Sequence, residues 1–318
     1  MPELPEVQTV ASELNRKLKN RIIKSVAVNA PKMVAVGPAA LPPKRQVKSD
    51  KVIKFIKLLK GQKILGVKRR AKLIIINLSP TSLKLRRTGR PLYLLVHLKM
   101  TGQFIFEDKK LRAKTHGLYR MFNKLSAPKV LLPGKHTHVI FTFSDASHLY
   151  FNAIRKFGYI KLVRDDELDQ VKELKEYGPE PLDKKFTIGV FCSAAQKTPH
   201  GKIKEVLMNP KIVAGIGNIY SDEILFLSGV RPERTVSRIQ NLEFRKIYSN
   251  IKLVLKKAIK AKGSSVGDFV RTDGSWGRFG KFHFVYGRKG QKCKKCGTII
   301  TSVKLNGRTA SFCPRCQK

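Results

Sequence analysis

The sequence predicts an α+β multidomain protein: an N-terminal β-sandwich or barrel with a flanking helix, a C-terminal helical domain, and a small terminal β-ribbon. Three observations carry this reading. Short β-type runs separated by Gly, Pro and basic loops fill residues 22–151. Helical periodicity takes over after residue 181. Four cysteines in two closely spaced pairs close the chain.

The first element is an amphipathic helix. Val7, Val10, Ala11, Leu14 and Leu18 recur at helical spacing, and Pro5 falls in the first turn, where its missing N–H does no harm. Strand-type runs follow at Ile22–Val28, Ile64–Val67, Leu73–Leu78, Tyr93–Leu98, Gln103–Phe106, Val139–Phe143 and Leu149–Phe151, and the domain ends at residue 163. Connections around 79–92 and 108–135 are rich in Lys and Arg and read as exposed insertions. An acidic helical stretch, Asp165–Glu176, leads to Gly178-Pro179-Glu180-Pro181, so residues 164–181 read as a linker. Ile203–Met208, the turn Gly215-Ile216-Gly217-Asn218 and Ile219–Leu227 read as two helices joined by a glycine-bearing turn. Asn241 is the expected N-cap of a helix whose apolar face is Ile247, Ile251, Val254, Leu255, Ala258 and Ile259, stopped by Gly263. Residues 263–291 are Gly-rich, aromatic and irregular, and a mobile loop is expected there. The domains are then 1–163, 182–285 and 286–318.

Charge narrows the function classes. The 318 residues include 65 Lys+Arg against 22 Asp+Glu, a net charge of +43, while 42% of residues are hydrophobic. A disordered basic tail would lack those apolar residues, so this is a folded chain with a polyanionic partner, and nucleic acid is the default. No run of eighteen apolar residues is present, and Met-Pro-Glu-Leu-Pro-Glu lacks the regions of a signal peptide, which predicts a cytoplasmic protein without a membrane partner.

Cys293-x2-Cys296, sixteen residues, then Cys313-x2-Cys316 fits a four-thiolate zinc site, because each knuckle presents two sulfurs to one tetrahedron. Four thiolates leave no open coordination position, so the expected cofactor is one structural Zn ion. Thr301–Leu305 and Arg308–Phe312 flank Asn306-Gly307, the favoured two-residue hairpin turn, which sets Arg308 beside a projecting tip. At the other end, loss of Met1 would free the secondary amine of Pro2 beside Glu3 and Glu6. At pH 7 an α-amine of pKa ~8 is about a tenth unprotonated, far more than a lysine near 10.4. Such an amine condenses with an aldehyde-level carbon to an iminium, an electron sink that favours elimination. Pro and Glu are also simply good residues with which to begin a helix.

Met1-Pro2-Glu3-Leu4-Pro5-Glu6-Val7, Asn218-Ile219-Tyr220 after Gly215-Ile216-Gly217, Tyr286-Gly287-Arg288 and the four-Cys finger, taken in order and end to end, resemble formamidopyrimidine-DNA glycosylase. The resemblance implies a β-sandwich followed by a helix-two-turn-helix domain with a lesion loop and the finger. It implies a bacterial, nucleoid-associated, monomeric enzyme acting on double-stranded damaged DNA, excising oxidised purines and nicking the strand by β,δ-elimination. Pro2 matches the nucleophile at the sugar C1′, Glu3 the assisting acid and Glu6 a supporting carboxylate. Lys72 matches a lysine that binds phosphates and aids elimination, and Arg308 the finger arginine. Asn218 matches a phosphate ligand.

A base inside a duplex must be rotated out and its hole filled. Met100, Arg155 and Phe157 match the three side chains that do this, although composition alone would put Met100 and Phe157 in a core. His136 matches a DNA-contacting histidine, Lys204 a lysine near the flipped nucleotide, and the 263–285 loop the segment that closes over the extruded base. Two positions depart from the family pattern. Ala153 replaces a common aspartate two residues before Arg155, and Gly267 replaces a basic residue of the lesion loop. Two other readings stand beside this one: an endonuclease VIII-like glycosylase for oxidised pyrimidines, against which Leu4 argues, and a noncatalytic zinc-ribbon nucleic-acid-binding protein.

Overall fold

The structure, a computed structural model, describes residues 1–39, 49–79, 90–120 and 129–318. These residues pack as two compact units. Met1–Pro2, Glu6–Lys175 and Ser264–Gly277 form the first; Glu3–Pro5, Glu176–Gly263 and Arg278–Lys318 form the second.

The first unit is a sandwich. One antiparallel sheet has the order β1 (Ile23–Val28), β9 (Thr137–Phe143), β10 (His148–Ala153), β6 (Gly102–Glu107). The other runs β2 (Val34–Val36), β11 (Tyr159–Arg164), β5 (Leu92–His97), β4 (Leu73–Ser79), β3 (Lys63–Arg70), with only the β11–β2 pairing parallel. Helix α1 (Leu4–Leu18) lays Val7, Val10, Ala11, Leu14 and Leu18 into the core with Phe104, Phe106, Phe141 and Phe151. Burying each of those Val and Leu side chains contributes roughly 1.5–3 kcal/mol, which is why the helical stripe was readable.

Three core elements escaped the pattern, among them the short strand β2, which places Val34 in the core. Helix α2 (Ser49–Leu59) contributes Phe55 and Leu59 to the core from a segment thick with lysine. Strand β11 carries a buried Lys161, which interrupts its apolar run; the ammonium is satisfied 3.2 Å from Glu173, whose carboxylate also accepts from the Tyr159 hydroxyl at 2.6 Å. Glu173 lies in α4 (Lys172–Glu176), and this acidic stretch is half 3-10 helix, over Asp165–Gln170.

Of the two expected insertions, residues 80–89 of the first and 121–128 of the second lie outside the described residues. The remainder of the second is more than an exposed loop. It forms α3 (Lys109–Thr115), N-capped by Asp108, whose carboxylate accepts from Leu111 N at 2.8 Å, and a ladder of β7 (Leu118–Arg120) with β8 (Lys129–Leu131). Tyr119 and Leu132 are buried, because aromatic and aliphatic residues hidden among the lysines found an apolar face to cover.

The second unit is helical: α5 (Ile188–Gln196), α6 (Ile203–Met208), α7 (Asn218–Ser228) and α8 (Asn241–Lys260) share one core. The N-cap of α8 is Gln240 and not Asn241, because Glu243 reaches back to accept from Gln240 N at 2.8 Å and completes a capping box one residue earlier. The ribbon β12 (Thr301–Leu305) and β13 (Arg308–Phe312) has the expected bounds, with positive φ at both Asn306 and Gly307. The 263–291 segment is irregular as expected but firmly tied. Its first part packs in the sandwich unit, where Thr272 is buried and donates to Glu13 from both its amide and its hydroxyl.

His97, at the end of β5, is opposite Leu73 and Tyr159 in the middle of its sheet. Burial, and after it the positive charges of Lys99 and Lys72, push its pKa down to about 3. The folded ring therefore stays neutral where an unfolded one would take up a proton below pH ~6.5, so its stabilising share is full above that pH and lost progressively toward 3. Between pH 7.5 and 4.5 this costs about 2.5 kcal/mol. Urea melts at the two pH values should show His97→Gln losing less than the parent; an equal loss would remove His97 as the source.

Candidate functional site

The N-terminal residues and the Gly215–Asn218 turn are built around one another within the second unit. Glu3 is buried, and its carboxylate accepts from Ile219 N at 2.8 Å and Tyr220 N at 3.4 Å, supplying the cap that Gly217 cannot give to α7. Leu4 N donates to Gly215 O at 3.0 Å. A Cβ at residue 217 would lie 2.4 Å from the Glu3 carboxyl carbon, so only glycine leaves room for that side chain. A Cβ at residue 215, where φ is +92°, would lie 2.9 Å from Leu4. The two glycines thus have different reasons. Asn218 opens α7 and is half-buried.

Pro2, buried, belongs to the first unit. So does Glu6, whose Oε1 accepts from Ser264 N at 2.8 Å and thereby ties α1 to the Ser264–Gly277 segment. Lys72 is half-buried in the tight turn joining β3 to β4. Arg69 braces that turn, donating to Ala71 O and to Gln8 on α1, each at 2.9 Å. Ala71 takes a left-handed φ of 51°, as such a turn requires. His97 carries no signal in the sequence; its Nδ1 accepts from Lys99 N at 2.9 Å, which shapes the turn toward Met100.

Met100, Arg155 and Phe157 stand outside the core. Met100 is 43% exposed and Phe157 59%, so the composition-based expectation of a core position fails for both. Arg155 Nη1 contacts Met100 Sδ at 3.2 Å, and Arg155 N donates to Thr101 Oγ1 at 3.0 Å. The two turns are forced tight: a Cβ on Gly102 would sit 2.3 Å from Leu98 O, and one on Gly158 would sit 2.9 Å from the Phe151 ring. Arg155 therefore has anchors in this chain although Ala153 supplies none; Ala153 is fully buried, its carbonyl 2.7 Å from His138 Nε2. His136 is half-exposed beside it, with its pKa lowered by burial and by Lys135 and Lys156.

In the second unit Arg308 is exposed at the first position of β13 and lines a cavity of about 320 Å³ with Asn209, Asn306 and Lys204. Lys204, expected from the resemblance near the flipped nucleotide, is a buried ion-pair partner. It is 1% exposed, its ammonium 2.5 Å from Asp222 and 3.1 Å from Thr309 O. Asp222 Oδ2 also accepts from Ser311 N at 3.0 Å, so a buried ion pair grips the strand that begins with Arg308. Burial drives the two partners in opposite directions, Lys204 down and Asp222 up to about 7, and each is held by the other's charge. Next to it, Glu223 accepts from three consecutive amides, Phe284, Val285 and Tyr286, at 2.8–3.0 Å. Neither carboxylate had a sequence signal beyond an acidic residue in an apolar helix.

The ligand sulfurs of Cys293, Cys296, Cys313 and Cys316 all lie within 4.8 Å of one another. Two of the separations, 3.5 and 4.0 Å, bracket the ~3.8 Å that tetrahedral Zn–S bonds require. The residues present fit one zinc ion, held by all four.

Sequence profiles of the formamidopyrimidine-DNA glycosylase N-terminal domain, the H2TH domain of the same enzymes, and the zinc finger found in FPG and IleRS match residues 1–160, 177–270 and 290–318. The formamidopyrimidine-DNA glycosylase of Listeria monocytogenes is 34% identical over 100% of both chains. Among solved structures, MutM in complex with DNA containing carbocyclic 8-oxo-G superposes with a TM-score of 0.78 at 31% identity over 100% of both chains. Lactococcus lactis Fpg with abasic-site DNA does so with a TM-score of 0.77 at 30% identity over 99% of both. A profile covering half the chain and a relative matched from end to end, on a fold that also agrees, make this chain a member of the formamidopyrimidine-DNA glycosylase family of base-excision-repair enzymes.

Proposed function

We propose that the chain excises oxidised purines, 8-oxoguanine and formamidopyrimidines, from double-stranded DNA through a Schiff base on Pro2 and then nicks the strand by β,δ-elimination. The observation that carries this reading is the exposed trio of Met100, Arg155 and Phe157 on turns too tight to be accidental. Met100 lies exposed against the Arg155 guanidinium, and Phe157 is exposed two residues after Arg155 in the same turn. They suit the hole left when a nucleotide is rotated out of a stack.

Once Met1 is removed, the Pro2 nitrogen attacks C1′ as the base leaves with its bonding electrons and takes up a proton. The nitrogen, having lost its own proton, then expels O4′, which is protonated as the C1′–O4′ bond opens, and the resulting iminium acidifies the C2′ protons. Loss of one expels the 3′ phosphate, and a second elimination expels the 5′ phosphate. Glu3, oriented by the α7 amides, serves proton transfer at the opening sugar; Glu6 positions α1 through Ser264. Lys72 and Arg308 hold phosphates, Asn218 and His136 add contacts to the strand, and the Ser264–Gly277 segment closes over the extruded base. Lys204 serves by fixing the strand behind Arg308. Zinc, held by the four thiolates, contributes folding energy to the ribbon. We place the protein in the cytoplasm with the nucleoid, as a monomer; no helix among the described residues is long and apolar enough to cross a membrane.

Borohydride with an 8-oxoguanine duplex should trap the mature protein covalently, with reduced deoxyribose on residue 2 by mass spectrometry. Pro2→Gly should bind the same duplex and trap far less; attachment at any other residue would overturn the nucleophile. Arg308→Ala should weaken duplex binding by about 1–3 kcal/mol, the size of a lost charge-assisted contact, and slow strand nicking while the melting curve is unchanged. A variant that nicks normally would remove Arg308 from the site. Gly217→Ala should displace Glu3 and lower stability by about 1–3 kcal/mol, with excision falling further than unfolding accounts for. Wild-type excision at 25 °C would mean the Glu3 position is unimportant.

A further inference from the structure

The connection between β6 and β9 has no role in the reading above, yet its described residues are committed to one place. Glu107, at the end of β6 and 1% exposed, accepts from Tyr119 at 2.9 Å, Tyr150 at 3.1 Å and Arg112 at 2.8 Å. Two of these three donors come from the connection, so a fully satisfied buried carboxylate fastens it to the sheet. Above that anchor, Tyr119 and Leu132 form a buried apolar cluster with Ile105, Tyr150 and Val270, and Trp276 packs against it.

Val270 and Trp276 belong to the Ser264–Gly277 segment. The rest of that segment is held on other sides. Phe106 N donates to Thr272 O at 2.9 Å along the edge of β6, Gln103 donates to Asp268 O, Glu13 accepts from Arg271 and Thr272, and Glu6 accepts from Ser264 N. Glu6 and Glu13 lie on α1, the helix that follows Pro2. The polar ties fix where the segment runs, and Tyr119 and Leu132 share an apolar cluster with Val270, with Trp276 packed against it.

We infer that the Lys109–Thr115 helix and the β7–β8 ladder form a brace, with Tyr119 as its positioning residue, that holds Ser264–Gly277 in the conformation needed to receive an extruded base. This rests on the proposed function for that segment. Because an abasic site has no base to receive, the brace governs base release and not nicking of a site already empty.

Trp276 is the chain's single tryptophan, so its emission reports changes in the surroundings of this cluster. In Tyr119→Ala the emission should shift to the red, release of 8-oxoguanine from a duplex should slow roughly tenfold, as misplacement of a positioning element does, and nicking of a pre-formed abasic duplex should keep its rate. Tyr119→Phe, which keeps the ring in the cluster and leaves Arg112 and Tyr150 on Glu107, should keep the parental emission and lie far closer to the parent than Tyr119→Ala in both reactions. Should Tyr119→Ala not fold, Val270→Ala probes the same contact from the other side. Parental excision in a red-shifted variant, or equal loss of both reactions, overturns the brace. A parent protein inert on both duplexes overturns the proposed function instead, and the Trp276 shift, present in Tyr119→Ala and absent in Tyr119→Phe, still decides whether the packing is as described.

Discussion

The close approach of Glu3 to Gly217 is the constraint on which the second unit's working end depends. A side-chain carboxylate occupies the volume that any other residue at 217 would fill, and it takes over the capping of α7. Cap, turn and N-terminal register are therefore one interaction. It fixes where the residue after Pro2 sits to within the tolerance of a 2.8 Å hydrogen bond, and it needs no conformational search by a long side chain at the moment of use.

The same device recurs. Glu6, Glu13, Glu107, Asp222 and Glu223 are all buried, and each is spent on amides, hydroxyls or a cation from a distant stretch of chain. In a sequence with 65 basic residues and 22 acidic ones, withdrawing carboxylates inward does two things. It cross-links irregular segments that hydrophobic burial alone would leave loose, since a carboxylate accepting several N–H bonds holds backbone directions as well as positions. It also leaves the exterior more positive than the net charge suggests.

This explains what was legible beforehand. Helix α1, seven strand runs, the two-helix turn and the ribbon were readable because each carries a periodicity or a turn pair set by local physics, down to the hairpin bounds at Leu305 and Arg308. Strand β11 was hidden by Lys161, whose partner is twelve residues away, and α2 by its lysines. The thiolate quartet was plain from spacing alone. Lys204 and Asp222 were not, because an ion pair between helices leaves no mark in either segment. The exposure of Met100 and Phe157 was likewise invisible to composition and followed only from the resemblance, since apolar residues left outside a core break the rule by which cores are read.

The mirror-image turn at the ribbon tip has a consequence for how this module changes over generations. Both Asn306 and Gly307 sit at positive φ, which few L-residues tolerate, and Arg308 is the next residue in the same ladder. The tip admits only a handful of small residues, while Leu305, Ala310 and Phe312 on the flanking strands are held by burial. A lineage could retain every sulfur ligand and still redirect its arginine by losing one glycine, so inheritance of the reach of that side chain is governed by the turn and not by the metal.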